Sequence, residues 1–324
     1  MTTIRTSWNQ SVHALGRPHW FEPGMNECIK QMKEAAHKGT RAMFEVRDAR
    51  IPCLSHPSIE ALTCPPYSYR RMICYTHCDL LHDRDLPRIT DYAKSISSGV
   101  SPLLLKLADH KHGPEPRTSV IRSSMISFLF HAYDGKYDPL YPLRSFAVGF
   151  PNVGKSTFLY VSTQAQTRIM RKKQDYHLPK VANIPGYTTV LKPHWLSIKD
   201  PPARIMDTPG INLPRGSFVK DRESFYKLSL IGCLQEKFYI QEVEDVLDYL
   251  LFKLNRSGHL DYVQYLNISD ATDDVEQLIQ TLLDDGATQT DRTTLALRII
   301  NQWRRGEFGR MCLDQIPNSQ SSQL

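Results

Sequence analysis

The sequence predicts an α/β fold, a mostly parallel sheet with helices on both faces, followed by a small all-α domain. Three observations carry this. Through the first two thirds of the chain, short apolar runs alternate with segments of helical period, the pattern of parallel strands joined by helices. A Gly-x-x-x-x-Gly-Lys-Ser stretch, Gly149 to Ser156, lies between one such strand and one such helix. Beyond about residue 216 the alternation stops and only helical periods remain.

Taken in order, Pro23 to His37 repeats apolar residues at Met25, Ile29, Met32 and Ala36, a helical spacing that Gly39 can terminate. Ala42 to Val46 reads as a strand that delivers Arg47 to Pro52 into a loop. Arg71 to Tyr75 is a second strand, ending at Thr76-His77-Cys78-Asp79. A helix over 86–97 and a third apolar run, Pro102 to Leu107, follow. Residues 109–116 are polar and proline-bearing and read as a surface loop; Ser119 to Ala132 reads as a helix. Phe146 to Val148 is the strand before the glycine motif, and a helix is expected over 157–170. Trp195 to Ile198 and Ala203 to Met206 read as strands, the second running into Asp207-Thr-Pro-Gly210. In the last third, helices are expected over 225–234, 243–254, 275–284 and 293–304. The resulting division is an N-terminal arm over 1–21, a sheet domain over 22–216, a helical domain over 217–316 and a disordered polar tail over 317–324.

Composition narrows the class. The chain has 324 residues, 41% of them hydrophobic and 23% charged, enough for two domains. A net charge of +6 suits an RNA-rich partner or a mitochondrial matrix address. Seven cysteines without a Cys-x-x-Cys pair favour free thiols in a reducing compartment and argue against a zinc site. No apolar run approaches the ~20 residues that span a bilayer. The first twenty-one residues hold Arg5, Arg17 and no acidic residue; a short presequence and a frayed arm both remain open readings.

The glycine motif carries the chemistry. Gly149 and Gly154 let the backbone curl so that successive N–H groups face an anion, and the following helix adds its N-terminal partial charge. Lys155 is placed to reach the outer phosphates of a nucleotide and Ser156 to ligate Mg²⁺. Asn152, Val153, Gly154 and Thr157 complete the cradle. Asp207, at a strand end about fifty residues later, can face the same ligand and hold its metal, while the Gly210 N–H meets the outermost phosphate. Thr188 lies between them, in the loop where a threonine would complete the metal shell.

With these residues in place, the chain resembles the GTPase superfamily, and in it the circularly permuted GTPases of the ribosome-assembly group, mitochondrial branch. The stretches that carry the resemblance are Trp20-Phe-Glu-Pro-Gly-Met25, Asp48-Ala-Arg-Ile-Pro52, Gly149-Phe-Pro-Asn-Val-Gly-Lys-Ser156, Pro185-Gly-Tyr-Thr188, Asp207-Thr-Pro-Gly-Ile211, Lys227-Leu-Ser-Leu-Ile-Gly232 and Arg304-Arg-Gly-Glu-Phe-Gly309. Their order is what is specific: nearly 150 residues precede the phosphate loop, and the base-reading loop comes early. The resemblance implies GTP and GDP as ligands with Mg²⁺, and assistance to assembly of the large subunit of the mitochondrial ribosome. It implies contacts with ribosomal RNA and proteins, and no DNA. A monomeric chain in the mitochondrial matrix is expected, with peripheral inner-membrane association allowed. Lys155, Asn152, Thr188 and Gly210 would serve catalysis, and Asn152 would help hold K⁺ beside the phosphates.

The departure from the family pattern lies in base recognition. Where relatives read guanine with Asn-Lys-x-Asp, this chain keeps Asp79 but has Thr76 and His77 in the bracing positions, so a weaker grip on the base is expected. The Ser-Ala element expected near 103–108 is missing as well. Catalysis differs from Ras-like members of the superfamily: where a water-orienting glutamine would follow the Asp-x-x-Gly, this chain has Ile211, so slow intrinsic hydrolysis is expected. A degenerate, non-hydrolysing nucleotide-dependent ribosome-binding module and an ATPase of the same architecture therefore stay open. For RNA, Arg168, Arg171, Lys172 and Lys173 form one candidate set and Arg298, Arg304, Arg305 and Arg310 another; Trp303 reads as a core anchor.

Overall fold

The computed structural model describes residues 5, 23–106, 117–171, 191–198, 201–213, 221–284 and 291–317. The chain divides into two compact units, residues 21–213 with 314–324, and residues 1–20 with 214–313.

The first unit is built on a six-stranded sheet of order β3-β2-β1-β4-β6-β5. Its strands are β1 (Ala42–Asp48), β2 (Arg70–Thr76), β3 (Leu103–Leu104), β4 (Leu143–Val148), β5 (Lys192–Ser197) and β6 (Ala203–Asp207). All neighbouring pairs are parallel except β5 with β6, which is antiparallel and closes one edge. Among the described residues, five α-helices belong here: α1 (Pro23–His37), α2 (Pro57–Thr63), α3 (Leu86–Ile96), α4 (Arg117–Ala132) and α5 (Lys155–Arg171). The two faces of β1 show why the sheet is covered on both sides. Phe44 points to one face, against Phe128 of α4 and Phe158 of α5. Met43 points to the other, into a cluster with Cys28 and Met32 of α1 and Ile59 and Leu62 of α2. Burial of such side chains stabilises by about 1.5–3 kcal/mol each.

On that second face β1 also buries charge. Arg47 Nε donates to Glu45 at 2.8 Å, Arg71 of β2 donates to Glu45 at 3.0 Å and to Glu60 of α2 at 2.7 Å, and Arg47 reaches Glu60 at 3.2 Å. Two cations and two anions therefore neutralise one another within the sheet–helix layer. Further guanidinium protons find the Pro52 and Ile96 carbonyls at 3.1 and 2.5 Å. Charge is balanced within the set, as burial of ions demands.

Most elements lie where the periodicity puts them, and α1 and the 275–284 helix coincide with it to the residue. Two differences have physical causes. The run from Pro102 to Leu107 pairs with β2 through two residues only, because β3 is an outer strand with one neighbour. The short helix α2 has no counterpart in the sequence reading: its N-cap is His56, whose Nδ1 accepts from the Ser58 N–H at 3.0 Å, and histidine is not among the usual caps. The loop expected over 109–116 lies outside the described residues.

Among the described residues, the second unit holds five α-helices, α6 (Arg222–Leu230), α7 (Val243–Arg256), α8 (Asp261–Tyr265), α9 (Val275–Asp284) and α10 (Arg292–Arg304). Asp221 and Asp291 cap α6 and α10 by accepting from the third residue onward. Trp303 is buried, in keeping with a core anchor. After Leu313 the chain returns to the first unit, where the Asp314 carboxylate accepts from the Cys53 N–H at 2.8 Å. No helix among the described residues is long and apolar enough to cross a membrane.

Candidate functional site

The parallel strands β1, β2, β4 and β6 end at one edge of the sheet, and most of the residues singled out in the sequence collect there. β4 stops at Val148 because the next residue, Gly149, takes φ +149° and lies against β1: a Cβ there would stand 2.2 Å from the Val46 carbonyl oxygen. Only glycine fits. Asn152 and Gly154 adopt left-handed backbone, φ +57° and +83°, which asparagine and glycine tolerate best. The chain then enters α5 at Lys155, so the first N–H groups of a 17-residue helix open onto the loop. Ser156 and Thr157 lie half-buried on that first turn. Lys155 is buried and folded over the loop, its Nζ donating to the Phe150 and Gly149 carbonyls at 2.7 and 3.3 Å.

Asp207 ends β6 beside this cradle. Thr208 Oγ1 donates to the Ala147 carbonyl at 2.7 Å, and the Ile211 N–H donates to the Gly149 carbonyl at 3.0 Å. Gly210 packs on the cradle so closely that a Cβ would stand 2.6 Å from Pro151 Cα. The two loops thus form one piece of backbone. Ile211 is buried in the cluster with Cys28, Met32 and Met43, so its side chain is core and faces no water. Burial raises the Asp207 carboxyl to about 6, against the opposing pull of Lys155, Lys192 and the Thr208 N–H. Its Oδ1 is fully buried with no hydrogen-bond partner. A buried carboxylate oxygen left without a donor is suited to a cation, and the pairing of Asp207 with Ser156 fits Mg²⁺ in kind. Thr188, the third expected metal residue, lies outside the described residues, as do Lys172 and Lys173.

The loop expected to read the base, Thr76 to Asp79, arrives from the end of β2. Thr76 is buried, and its hydroxyl lies 2.7 Å from the Val153 carbonyl and 3.1 Å from that of Arg47. A hydroxyl has one proton to give, and the shorter bond, to the phosphate loop, is the better one. Threonine thus still ties the base loop to the cradle, with a shorter side chain than the asparagine of the family pattern. His77 takes left-handed backbone, φ +54°, and its Nδ1 lies 3.1 Å from Asp48 Oδ2. Asp48 is in turn gripped by Arg50, Nη2 to Oδ2 at 2.7 Å and Nε to Oδ1 at 3.0 Å. Burial opposes ionisation of Asp48, but Arg50 and His77 hold its carboxyl well below the ordinary carboxylate range. Asp79 follows on the single turn Cys78–Leu80, whose Cys78 N–H donates to the Leu105 carbonyl at 3.1 Å. Burial raises the Cys74 thiol and pushes that of Cys78 up to about 12, which makes both packing groups without nucleophilic use.

Two contributors escape sequence reasoning. Asp48 stands in the sequence only as part of a motif, and nothing along the chain marks its tie to His77. His56 carries no signal at all. Its Nδ1 accepts at the start of α2, so its Nε2 carries the proton and donates to the Asn212 carbonyl at 2.8 Å, fixing the loop beyond Gly210. Burial lowers the His56 pKa, in keeping with a neutral ring. Of the C-terminal arginines, Arg304 is committed inside its own unit, donating to the Ser229 and Leu230 carbonyls at 2.5 and 2.7 Å. Arg305 pairs with Glu307 at 2.5 Å, and Arg298 and Arg310 are exposed.

Known proteins resemble this chain over most of its length. Residues 144–281 match the 50S ribosome-binding GTPase family. The chain is 27% identical over 312 residues to the mitochondrial GTPase 1 of Aedes aegypti, covering 91% of this chain and 93% of that protein. It is 24% identical to the mitochondrial ribosome-associated GTPase 1 of Mus musculus, over 96% of this chain and 95% of the other. Ribosome biogenesis GTPase A of Priestia megaterium is 27% identical over 89% of this chain and 94% of its own. The likeness read from the motifs thus extends along nearly the whole chain.

Proposed function

We propose that this chain is a GTPase of circularly permuted order that assists assembly of the large subunit of the mitochondrial ribosome. The observation that carries the reading is the 2.7 Å bond from Thr76 to Val153. It joins a base loop from the first half of the chain to a phosphate cradle 77 residues later, so both ends of one nucleotide can be met at a single sheet edge. Asp79 accepts two hydrogen bonds from guanine, and His77 flanks the ring. The amides from Gly149 to Ser156, with Lys155, hold the phosphates. Ser156, Thr188 and Asp207 hold Mg²⁺, which when bound neutralises phosphate charge; Asn152 holds K⁺ in the same role. Residues 217–316 form the ribosome-contacting helical part, and the chain acts as a monomer in the matrix.

Hydrolysis is slow in the isolated protein, because Ile211 belongs to the core and leaves no side chain at that position to orient water. Phosphate release from GTP and from ATP, measured with and without large subunits and in K⁺ against Na⁺, tests this. Subunit-stimulated GTP turnover is expected. Binding without turnover in any condition would favour a nucleotide-dependent binding module, and preferential ATP turnover an ATPase. Asp79→Asn should move preference from guanine toward xanthine nucleotides; an unchanged preference removes base reading from this loop.

A further inference from the structure

Behind His77 lies a buried ion pair, Asp48 with Arg50. Asp48 ends β1 in register with Thr76 of β2. Its carboxylate accepts three hydrogen bonds from Arg50. The main-chain N–H and Nε reach Oδ1 at 2.9 and 3.0 Å, and Nη2 reaches Oδ2 at 2.7 Å. The fourth position is met by His77, whose Nδ1 lies 3.1 Å from Oδ2. A buried pair of this kind adds little stability after desolvation, which points to a role beyond holding the sheet together. Asp48 and Arg50 are closed off from water, whereas the His77 side chain is 25% exposed, at the sheet edge where the nucleotide is expected.

The surroundings of Nδ1 decide which ring nitrogen holds the proton. Its second neighbour, the Thr76 hydroxyl oxygen, is also 3.1 Å away. That hydroxyl gives its one proton to the Val153 carbonyl at 2.7 Å, so toward the ring it offers only a lone pair. Burial opposes ionisation of Asp48, yet Arg50 and His77 keep it ionised, so it too only accepts. Nδ1 therefore carries a proton whatever the charge of the ring, and in the neutral ring Nε2 keeps its lone pair. With Nδ1 anchored and the backbone beneath it left-handed, at φ +54°, the imidazole is held in one orientation.

We propose that Asp48, clamped by Arg50, is a positioning residue for guanine recognition: it holds the His77 ring in one tautomer and one plane, with its outer face toward the base. This role rests on the GTPase reading above, in which His77 flanks the guanine. It supplies the brace at the place where the family pattern has a lysine. A short imidazole cannot adjust along the base as a four-carbon stem can, so its direction must be fixed from behind. The same contact joins β1 to the expected base loop, so the end of β1 becomes part of the nucleotide site.

The test joins fluorescent GDP binding by the full chain to long-range proton–nitrogen correlation spectra of its labelled histidines, with His77→Ala identifying the His77 signals. The wild-type ring should carry its proton on Nδ1. Asp48→Asn keeps Oδ1 on the Arg50 N–H and Nε and puts an amide N–H where Oδ2 stood, so the proton should move to Nε2. Asp48→Asn and His77→Ala should each weaken GDP binding about tenfold, and together about tenfold as well, because both remove the same brace. Losses that multiply to about a hundredfold in the double variant overturn the assignment. So does a wild-type His77 protonated on Nε2 alone. If Asp48→Asn does not fold, the wild-type spectrum and His77→Ala still decide: an Nδ1 proton with the tenfold loss supports the role, and GDP affinity within about twofold of wild type overturns it. A wild type that binds no guanine nucleotide sinks the GTPase reading and this role with it, whereas GDP binding with multiplying losses sinks only the role given to Asp48.

Discussion

In the phosphate cradle, from Gly149 to Ser156, shape is set by main chain: a glycine pressed against the Val46 carbonyl, two left-handed residues, and Gly210 seated on Pro151. In the expected base loop, from Thr76 to Asp79, side chains join the main chain: beside the left-handed His77 and the Cys78 N–H on the Leu105 carbonyl, one hydroxyl meets the Val153 carbonyl and one imidazole meets Asp48. The first admits almost no change of residue, because the missing atoms are what make room. The second tolerates exchange so long as some donor reaches the same acceptor, which is how threonine can stand where the family pattern has asparagine. The departures from that pattern accordingly fall in the side-chain half of the site.

The sharpest way to break this contrast is Gly149→Ala. A methyl group 2.2 Å from a carbonyl oxygen, on a backbone at φ +149°, should cost on the order of 4 kcal/mol and abolish nucleotide binding. Urea unfolding beside fluorescent GDP binding measures both, and a loss under about 1 kcal/mol would show a cradle as adaptable as the base loop. Next comes Asp207→Asn. A carboxyl raised to about 6 from an ordinary 3.8 favours the native state less once ionised, so its cost grows as pH rises from about 4 to 6 and persists above that. Without Mg²⁺ the asparagine variant should be about 2–3 kcal/mol more stable than wild type at about pH 7.5, and equal to it near about pH 3.5. Thermal unfolding at the two pH values checks the sign. Mg²⁺-dependent GTP affinity should be lost in the same variant.

Thr76→Val keeps the volume and removes the proton, and should weaken GTP binding by about 1 kcal/mol, roughly fivefold, while Thr76→Asn restores it. Calorimetric titration of the three proteins decides; equal affinities would sever the base loop from the cradle. The smallest effect belongs to His56, whose ring is held neutral by a donor at Nδ1 and an acceptor at Nε2. Its lowered pKa means that stability present above about 6.5 is lost as pH falls below that value, where the unfolded chain takes up the proton first. His56→Ala should cost about 1 kcal/mol at about pH 7.5 and remove that part of the acid sensitivity, as read from unfolding midpoints between about pH 5 and 8.

Which parts are legible in the chain follows from the range of the forces involved. The apolar spacing at Met25, Ile29 and Met32 and the glycines of the cradle act over a few residues, so helix α1 and the phosphate loop can be read directly. Thr76 and Val153 are far apart in sequence, and no local pattern announces their bond. His56 is invisible for a related reason, since an imidazole serving as a helix cap and a loop fastener looks in sequence like any other histidine. Arg304 stands in a basic pair and reads as charge, whereas the fold uses its geometry to satisfy the carbonyls that end α6. Charge alone does not say whether an arginine faces outward.

The quartet of Glu45, Arg47, Glu60 and Arg71 has a bearing on how this lineage can vary. Removing Glu45, Arg47 or Arg71 strands its buried partners, at about 3–5 kcal/mol, a large fraction of a domain's whole stability, whereas Glu60, 40% exposed, sits where water can take its place. A drift from the three buried members to an oily patch of equal size would cost little at its end point, yet each single step among them crosses a variant that barely folds. The positions should therefore be inherited together or exchanged together, and a descendant in which one alone has changed should carry a second substitution nearby that replaces the lost charge.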